Sequence, residues 1–463
     1  MQFRLNHLAC LFLACLISLV SLEPSSAADQ WPPALPNAKE GTATVRSDLL
    51  LQVPKEFGTK PGGAEYTMAK TPPTVRLAFH DKLGPDAMTR RLWSSWGDIC
   101  VASDGRAYSA VGDHGDDAGG DARCFIYSWD PKRQVLEQVV DVNAHLPDTK
   151  PHSKWSKIHA KIDEGPDGKI YYSGTFNDGN KAGTEKYHFS EKVPGGQLYC
   201  YDPSSKRSEV FANLPPRRVT ATSLVDLERG LWWCNLEAGE GQALFALDFK
   251  TRKPVFQSPD GTVGFNRNFA LGRDGAIWFN GPETLMKYDP VKKAIVATKT
   301  VFPDTSPGMR CSTHESKAGE IYGITHKTSM LFRLKTADGS IELLGPNWLA
   351  GSYTAVCAMS PDEKFVYFLP GSHGGAFKDG TPVVQYDIKT GQRKVLAFLA
   401  AACEKECEYV PAGTYGMKMS ADGSKIFVNF NGHPTEKNRP AKMKPIGFGL
   451  TAFAEIEIPA SER

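Results

Sequence analysis

Short stretches of alternating apolar and polar residues recur along most of the chain, each after a tight turn. In four of these units the turn is Asp-Gly, at Asp104-Gly105, Asp167-Gly168, Asp274-Gly275 and Asp422-Gly423. An aromatic marker follows the turn within a few residues in every unit, namely Tyr108, Tyr171, Trp232, Trp278, Tyr322, Tyr367 and Phe427. Asp-Gly between alternating runs is the strongest short signal for a β-hairpin. The pattern therefore predicts seven repeats built from antiparallel strands.

The spacing of the repeats indicates their architecture. The markers are 63, 61, 46, 44, 45 and 60 residues apart. Five units also contain a third strand that ends in Asp, as in Tyr127-Ser-Trp-Asp130, and a short fourth strand such as 135–139 follows. Repeats of this length with several strands each are typical of β-propellers. We predict an all-β fold, a seven-bladed β-propeller with four-stranded blades, over residues 93–463.

The last repeat predicts how the ring closes. Residues 414–420, 425–430 and 450–458 supply only three strands before the chain ends. An open ring would leave an unpaired sheet edge, which natural proteins avoid. The segment 74–79, Thr-Val-Arg-Leu-Ala-Phe, has strand character and lies before the first blade. We expect it to complete the last blade, within an N-terminal extension that spans residues 29–92.

The first residues have the layout of a secretory signal peptide. Arg4 precedes an apolar run over residues 8–20, and Ser26-Ala27-Ala28 fits a signal-peptidase site. The run is shorter than the roughly 20 residues that a transmembrane helix needs. The sequence predicts a signal peptide over residues 1–28, a secreted or periplasmic protein, and no membrane span.

Charge and cysteine content narrow the possible partners. The formal net charge is +2, which gives no case for nucleic acid or an anionic membrane as a partner. Eight cysteines lie after residue 28, and export permits disulfides. Cys403 and Cys407, in a predicted charged loop, could form a bridge or stay as two free thiols. We expect a monomer whose partner is a small molecule or a carbohydrate.

Two segments carry a family resemblance. Glu164-Gly-Pro-Asp-Gly-Lys-Ile-Tyr171 and Ala270-Leu-Gly-Arg-Asp-Gly-Ala-Ile-Trp278-Phe279 resemble the blade repeats of streptogramin-lyase-like propellers. They also resemble the wider class that holds the regucalcin-type lactonases. The resemblance covers residues 93–459 and implies the architecture, but no position here matches the catalytic His and Glu of streptogramin lyase. Because propellers serve as enzymes, receptors and scaffolds, function has to be argued from the site.

Propeller ligands bind at the mouth of the central channel, so the innermost strands supply the candidate ligand-binding residues. The residues twelve positions before the markers are Trp96, His159, Thr220, Asn266, Arg310, Ala355 and Tyr415. Two positions further, on the same strand face, lie Asp98, Lys161, Thr222, Asn268, Ser312, Cys357 and Met417. From these we take Trp96, Asp98, Asn266 and Asn268 as ligand-binding candidates. The polar rings indicate either a site for a hydroxylated or charged ligand or a water-filled axis.

A second set of positions suggests a metal site. Six residues after their markers lie His114, His373 and His433, in blades 1, 6 and 7, which become neighbours when the ring closes. With Asp113 they could hold a divalent metal, Zn²⁺, Mn²⁺ or Ca²⁺. The alternative is three exposed loop histidines beside glycine turns.

The channel residues also include the groups that a lyase needs. Removal of a proton next to a carboxylate requires a base and a group that neutralises the acid. His159, Lys161, Arg310 and Tyr415 supply these types, and the arrangement is similar in kind to oligogalacturonate lyase, a propeller that holds a metal through histidines. We expect a secreted lyase or a lactonase-like hydrolase acting on a sugar acid; the alternative is a non-catalytic propeller that binds glycans or proteins.

Overall fold

A computed structural model of the protein describes residues 38–39, 42–55, 63–80, 92, 95–113, 122–147, 154–175, 191–238, 241–349, 352–436 and 449–463. The predicted signal peptide, residues 1–28, lies outside these ranges. Four strands precede the first blade: β1 (Ala38–Lys39), β2 (Thr42–Val45), β3 (Thr67–Met68) and β4 (Thr74–Phe79). No helix of the described ranges is both long and apolar enough to cross a bilayer.

Seven antiparallel sheets follow one another around the channel, each with its first strand innermost. Blade 1 consists of β5 (Cys100–Val101), β6 (Ala107–Gly112), β7 (Cys124–Asp130) and β8 (Val135–Asp141). Blade 2 consists of β9 (Asp163–Glu164), β10 (Ile170–Ser173), β11 (Gln197–Asp202) and β12 (Arg207–Asn213). Blade 3 consists of β13 (Val219–Asp226), β14 (Leu231–Glu237), β15 (Ala243–Asp248) and β16 (Pro254–Gln257). Blade 4 consists of β17 (Ala270–Leu271), β18 (Ile277–Asn280), β19 (Leu285–Asp289) and β20 (Ala294–Ala297).

The remaining blades complete the ring and confirm the predicted seven-bladed architecture. Blade 5 consists of β21 (Met309–Ser312), β22 (Glu320–Thr325), β23 (Met330–Lys335) and β24 (Ile341–Pro346). Blade 6 consists of β25 (Cys357–Met359), β26 (Phe365–Phe368), β27 (Pro382–Asp387) and β28 (Arg393–Phe398). Blade 7 takes β29 (Tyr409–Met419), β30 (Lys425–Pro434) and β31 (Leu450–Glu457) from the end of the chain.

The N-terminal extension closes the ring as the sequence predicts. β4 pairs antiparallel with β31, from Phe79 opposite Ala452 to Thr74 opposite Glu457, and becomes the fourth strand of blade 7. Beyond the prediction, β2 and β1 continue this sheet outward. β3 adds a parallel fifth strand to the outer edge of blade 6.

The turn chemistry explains why the sequence signatures recur. Gly105 and Gly275 adopt φ of +82° and +91°, conformations that favour glycine because it has no Cβ. The marker tyrosine then closes its own turn, since the Tyr108 hydroxyl donates to Asp104 Oδ2 at 2.6 Å. The Asp that ends the third strand in five of the blades accepts backbone N–H bonds in the next turn, as Asp289 does from Val291 and Lys292. These contacts are local, and a repeat forms wherever the sequence supplies them.

The segment around Cys403 and Cys407 differs from the expected charged loop. It forms an α-helix, α1 (Leu399–Cys407), because its Leu, Ala, Glu and Lys residues are good helix formers. Glu408 ends the helix in a left-handed conformation with φ of 54°. Both cysteines are buried and are free thiols, as are the other six in the described part of the chain. The described residues also include three short 3₁₀ helices, at Asp48–Leu51, Ala376–Asp379 and Ala460–Glu462.

Candidate functional site

Residues from all seven blades line a small cavity in the central channel, where the innermost strands begin. Its volume is about 50 Å³. A water molecule needs roughly 10–15 Å³ measured in this way, so the cavity has room for only a few non-hydrogen atoms. The lining comprises Trp96, Asp98, His159, Lys161, Thr222, Ser223, Arg267, Asn268, Arg310, Cys311, Ser312, Ala355, Val356, Cys357, Tyr415, Met417 and Lys418. This cavity is lined by all the positions that the repeat predicts, except Thr220 and Asn266.

Asn266 forms hydrogen bonds within blade 4 and does not line the cavity. Its Nδ2 donates to the carbonyls of Gly264 and Asn280 at 3.0 and 2.8 Å, and its Oδ1 accepts from the Asn280 N–H at 2.9 Å. Arg267 lines the cavity instead. Residues 264–269 belong to no strand, so the alternation of side chains that holds within a strand does not apply to them.

Arg310 is the central charged group of the cavity. It is 5% exposed, its Nε donates to the Tyr353 hydroxyl, and its guanidinium carbon lies 5.3 and 5.7 Å from the ring centres of Tyr353 and Tyr415. Its Nη1 approaches the Ala355 carbonyl at 3.5 Å. Among the described residues no carboxylate lies within ion-pair distance of Arg310, whereas Arg267 lies 3.0 Å from Glu237 Oε1. Within the part of the chain that the structure describes, the partners of this buried cation are therefore neutral.

Neutral imidazoles surround this cation. Burial, together with Arg267, Lys157 and Arg310, holds the pKa of His159 well below its usual value. Burial and Arg310 lower the pKa of His326 to about 4. Burial and Arg310 also lower the pKa of His373. At neutral pH these rings are therefore uncharged, because desolvation and the guanidinium disfavour the charged form.

The tyrosine of blade 7 connects the cavity to His373. Burial raises the pKa of Tyr415 well above its usual value, so its hydroxyl keeps its proton. That oxygen lies 2.8 Å from His373 Nδ1. The Tyr415 ring centre lies 4.5 Å from that of Trp96, which in turn stacks on His159 at 6.3 Å and 17°. Trp96, Tyr415 and Tyr353 therefore give the mouth an aromatic wall beside its cations.

Three charged residues, Asp98, Lys161 and Lys418, form the floor of the cavity, and together with Asp163, which lines the next cavity, they make a charged belt across the channel. Lys418 Nζ lies 3.4 Å from Asp98 Oδ2, while Asp98 Oδ1 accepts from the backbone N–H groups of Ile99 and Met417. Burial and the neighbouring Lys418 lower the pKa of Lys161, and burial raises the pKa of Asp163.

Below the belt a second cavity of about 440 Å³ opens toward the other end of the channel, lined by apolar groups such as Leu224 and Phe269. Lys161 and Lys418 line both cavities, so the belt separates them.

The predicted metal ligands occupy different surroundings, and His114 lies outside the described residues. Asp113 is buried and pairs with Arg123, with Oδ2 3.3 Å from Nε. His373 packs on Tyr353 at 4.3 Å, whereas His433 packs edge-on against Phe377 at 5.4 Å. Within the described part of the chain, no group of three or more His, Cys, Asp or Glu side chains is placed to hold a metal ion. The metal site, which depends on His114, stays a prediction.

Sequence reasoning missed Arg267, Tyr353, His326 and Lys418. The residue two positions before Ala355 is Tyr353. The residue two positions before His159 is Lys157, whose Nζ lies 5.9 Å from the centre of the Trp96 ring. The repeat therefore contained the signal for a third layer at the mouth. His326 lies in a loop after β22, where the repeat gives no such signal.

No protein-family model and no curated protein matches the chain. Among solved structures, it is similar to the extracellular domain of a hybrid two-component system protein from B. thetaiotaomicron, with 10% identity and a TM-score of 0.47. That match covers 81% of this chain, which spans 42% of the length of the other. A chain of a mitotic checkpoint complex matches with 11% identity and a TM-score of 0.49, over 88% of this chain and 97% of that one. Hydrazine synthase from Kuenenia stuttgartiensis matches with 12% identity and a TM-score of 0.45, over 76% of this chain and 97% of that one. These likenesses assign no function to the chain.

Proposed function

We propose that the protein is an exported propeller lyase that binds the carboxylate end of a sugar acid, or of a related small compound, at the channel mouth. The observation that carries the proposal is Arg310, a buried guanidinium without a carboxylate partner among the described residues. A buried charge is costly unless it is paired. A ligand carboxylate would provide that pair, and the planar donors of Arg suit its geometry.

The groups around Arg310 supply the remaining parts of an elimination. His159 lines the cavity and is held neutral by its lowered pKa, so it can act as the base that removes the proton next to the carboxylate. Tyr415 keeps its proton and can donate it to the leaving oxygen. Arg310 would stabilise the negative charge that develops on the substrate. Asn268 and Trp96 offer an amide and a ring face to the rest of the ligand.

The size of the cavity limits what enters it. A volume of about 50 Å³ admits a carboxylate and its adjoining carbon atoms but not a whole sugar ring. The remainder of a sugar acid would lie outside, against the aromatic wall of Trp96, Tyr353 and Tyr415. For export, the proposal relies on the signal-peptide pattern of residues 1–28; the secreted chain should begin at Asp29.

The experiment is a panel of uronic-acid oligosaccharides and small sugar acids, read by the absorbance of the unsaturated product. We expect Arg310→Gln to lower kcat/KM by about 100-fold, the effect of losing a donor to a developing negative charge. Arg252→Gln is the matched control, because this arginine, in the turn between β15 and β16 of blade 3, pairs with Glu209 in β12 of blade 2. Ligand binding without product would favour the alternative, a non-catalytic binding propeller. Neither binding nor product with any acid would refute the proposal.

A further inference from the structure

We infer that Lys161 is an amine nucleophile that captures the aldehyde or keto group of a carboxylate-bearing compound as an imine, while Arg310 holds the carboxylate. The inference rests on the proposed function and narrows its substrate class to acids that also carry a carbonyl group. Because only the carbon atoms next to the carboxylate fit in the cavity, the carbonyl group adjoins the carboxylate, as it does in a 2-keto sugar acid.

The positions of the two cations support this pairing. Lys161 lies in blade 2, between His159 and β9, and Arg310 lies in β21 of blade 5, yet both line the same cavity. Because that cavity has a volume of only about 50 Å³, a ligand held by Arg310 has its neighbouring carbon atoms close to the cavity floor. Lys161 forms part of that floor.

Lys161 also lacks a direct counter-ion among the described residues. The nearby Asp98 is occupied by Lys418 at 3.4 Å and by two backbone N–H groups. Asp163 accepts from the Val225 N–H at 3.3 Å and forms no ion pair with another described residue. The two lysines of the belt therefore differ, since Lys418 has a carboxylate partner and Lys161 does not.

This environment favours the neutral form of Lys161. Burial and the positive charge of Lys418 lower its pKa, opposed by Asp98, Asp163 and Cys357. A lysine that is desolvated and placed beside another cation is a recognised arrangement for an amine nucleophile. Lys418 stays charged, because Asp98 raises its pKa.

The reaction balances without an oxidant, a reductant or a further co-reactant. The Nζ lone pair forms a bond to the carbonyl carbon as the C=O π bond breaks, and a proton moves from the nitrogen to the oxygen to give a carbinolamine. Loss of that oxygen as water then gives the imine, so that amine and carbonyl yield imine and one water. Asp163, whose pKa is raised by burial, can hold the proton that the departing water needs. Protonation of the imine withdraws electrons from the adjacent carbon, which makes its proton easier for His159 to remove.

The test uses the full chain with glyoxylate or pyruvate, followed by cyanoborohydride reduction and peptide mass spectrometry. We expect the reduced adduct on Lys161, and a labelling rate about tenfold lower with acetone, which lacks the carboxylate that Arg310 would pair with. Lys161→Met should abolish the adduct, and Arg310→Gln should slow labelling by a similar factor. Lys169→Met, at the turn of blade 2 next to Asp167, is the control and should label like the wild type.

The outcomes separate the two claims. Mapping the adduct in the wild-type protein does not depend on whether a variant folds. Labelling spread over other lysines, or none at Lys161, would overturn the inference. If carboxylates still bind in an Arg310-dependent manner but Lys161 is not labelled, the imine inference is wrong and the proposed function stands. If neither carboxylate binding nor labelling is observed, both the inference and the proposed function are wrong.

Discussion

Arg76 in β4 places its Nη1 2.8 Å from Oε1 of Glu455 in β31, at the seam where the propeller closes. Glu455 is fully buried, and its other oxygen accepts a hydrogen bond of 2.8 Å from Trp129 Nε1 of blade 1. Lys425 of β30 lies 2.9 Å from the same carboxylate. One buried carboxylate therefore joins three strands of blade 7 to the neighbouring blade.

Replacing Arg76 with Ala should lower the free energy of unfolding by about 3 kcal/mol, because removal of one partner leaves a buried charge less compensated. Chemical denaturation followed by fluorescence measures this. Arg133→Ala is the matched control: its ion pair with Glu137 joins two exposed side chains and should contribute less than about 1 kcal/mol. Equal effects of the two substitutions would contradict the role of the seam.

Stability should fall in acid because of His80. This ring is 2% exposed and packs edge-on against Tyr127 at 4.8 Å, and burial lowers its pKa to about 4. Between roughly pH 6.5 and pH 4 the unfolded chain binds a proton that the folded chain does not, so stability is full above this window and decreases as the pH falls through it. His80→Phe should remove about 1.4 kcal/mol per pH unit of this slope. Denaturation midpoints at pH 7.5 and pH 5 measure it; an unchanged slope in the variant would refute it.

The thiols of α1 should be free and protected. Cys403 and Cys407 are buried on a helix, and burial raises the pKa of both thiols, to about 12 for Cys407. Iodoacetamide should therefore label neither residue in the native protein and both after unfolding without reductant. Peptide mass spectrometry reads the result, and a Cys403–Cys407 disulfide in the oxidised protein would contradict it.

The predicted metal site can be tested through His433. The Nδ1 atom of His433 lies 2.9 Å from the Pro434 carbonyl, an arrangement that leaves Nε2 as the available ligand atom. If His114, His373 and His433 bind Zn²⁺ or Mn²⁺, His433→Ala should lose the metal in elemental analysis and keep the melting temperature of the metal-free wild type. His145→Ala, whose ring contacts Ser208 and Tyr199, is the control and should retain it. Wild-type protein that takes up neither metal nor Ca²⁺ would end the hypothesis.

The sequence by itself determined the repeat. Turns such as Asp104-Gly105 and bonds such as that of Tyr108 to Asp104 link residues a few positions apart, so their effect can be read locally. Equal offsets from equivalent strands then place Trp96, Lys161 and Arg310 around one axis, because each blade repeats the same path. The closing strand β4 was also predictable, since a three-stranded last blade would leave an open edge.

Only the tertiary structure decided which channel residues are paired. Arg267 lines the cavity in place of Asn266 because residues 264–269 belong to no strand. His326, which packs against Tyr353, lies in a loop whose path the repeat spacing does not predict. Asp98 pairs with Lys418, whereas the partners of Arg310 among the described residues are neutral. Such pairings join residues that are distant in sequence, and they depend on which side chain lies closest to a given carboxylate in the folded protein. The sequence alone gives the charged residues of the site, whereas the closed ring determines which of these charges are left unpaired by other described residues and can bind a ligand.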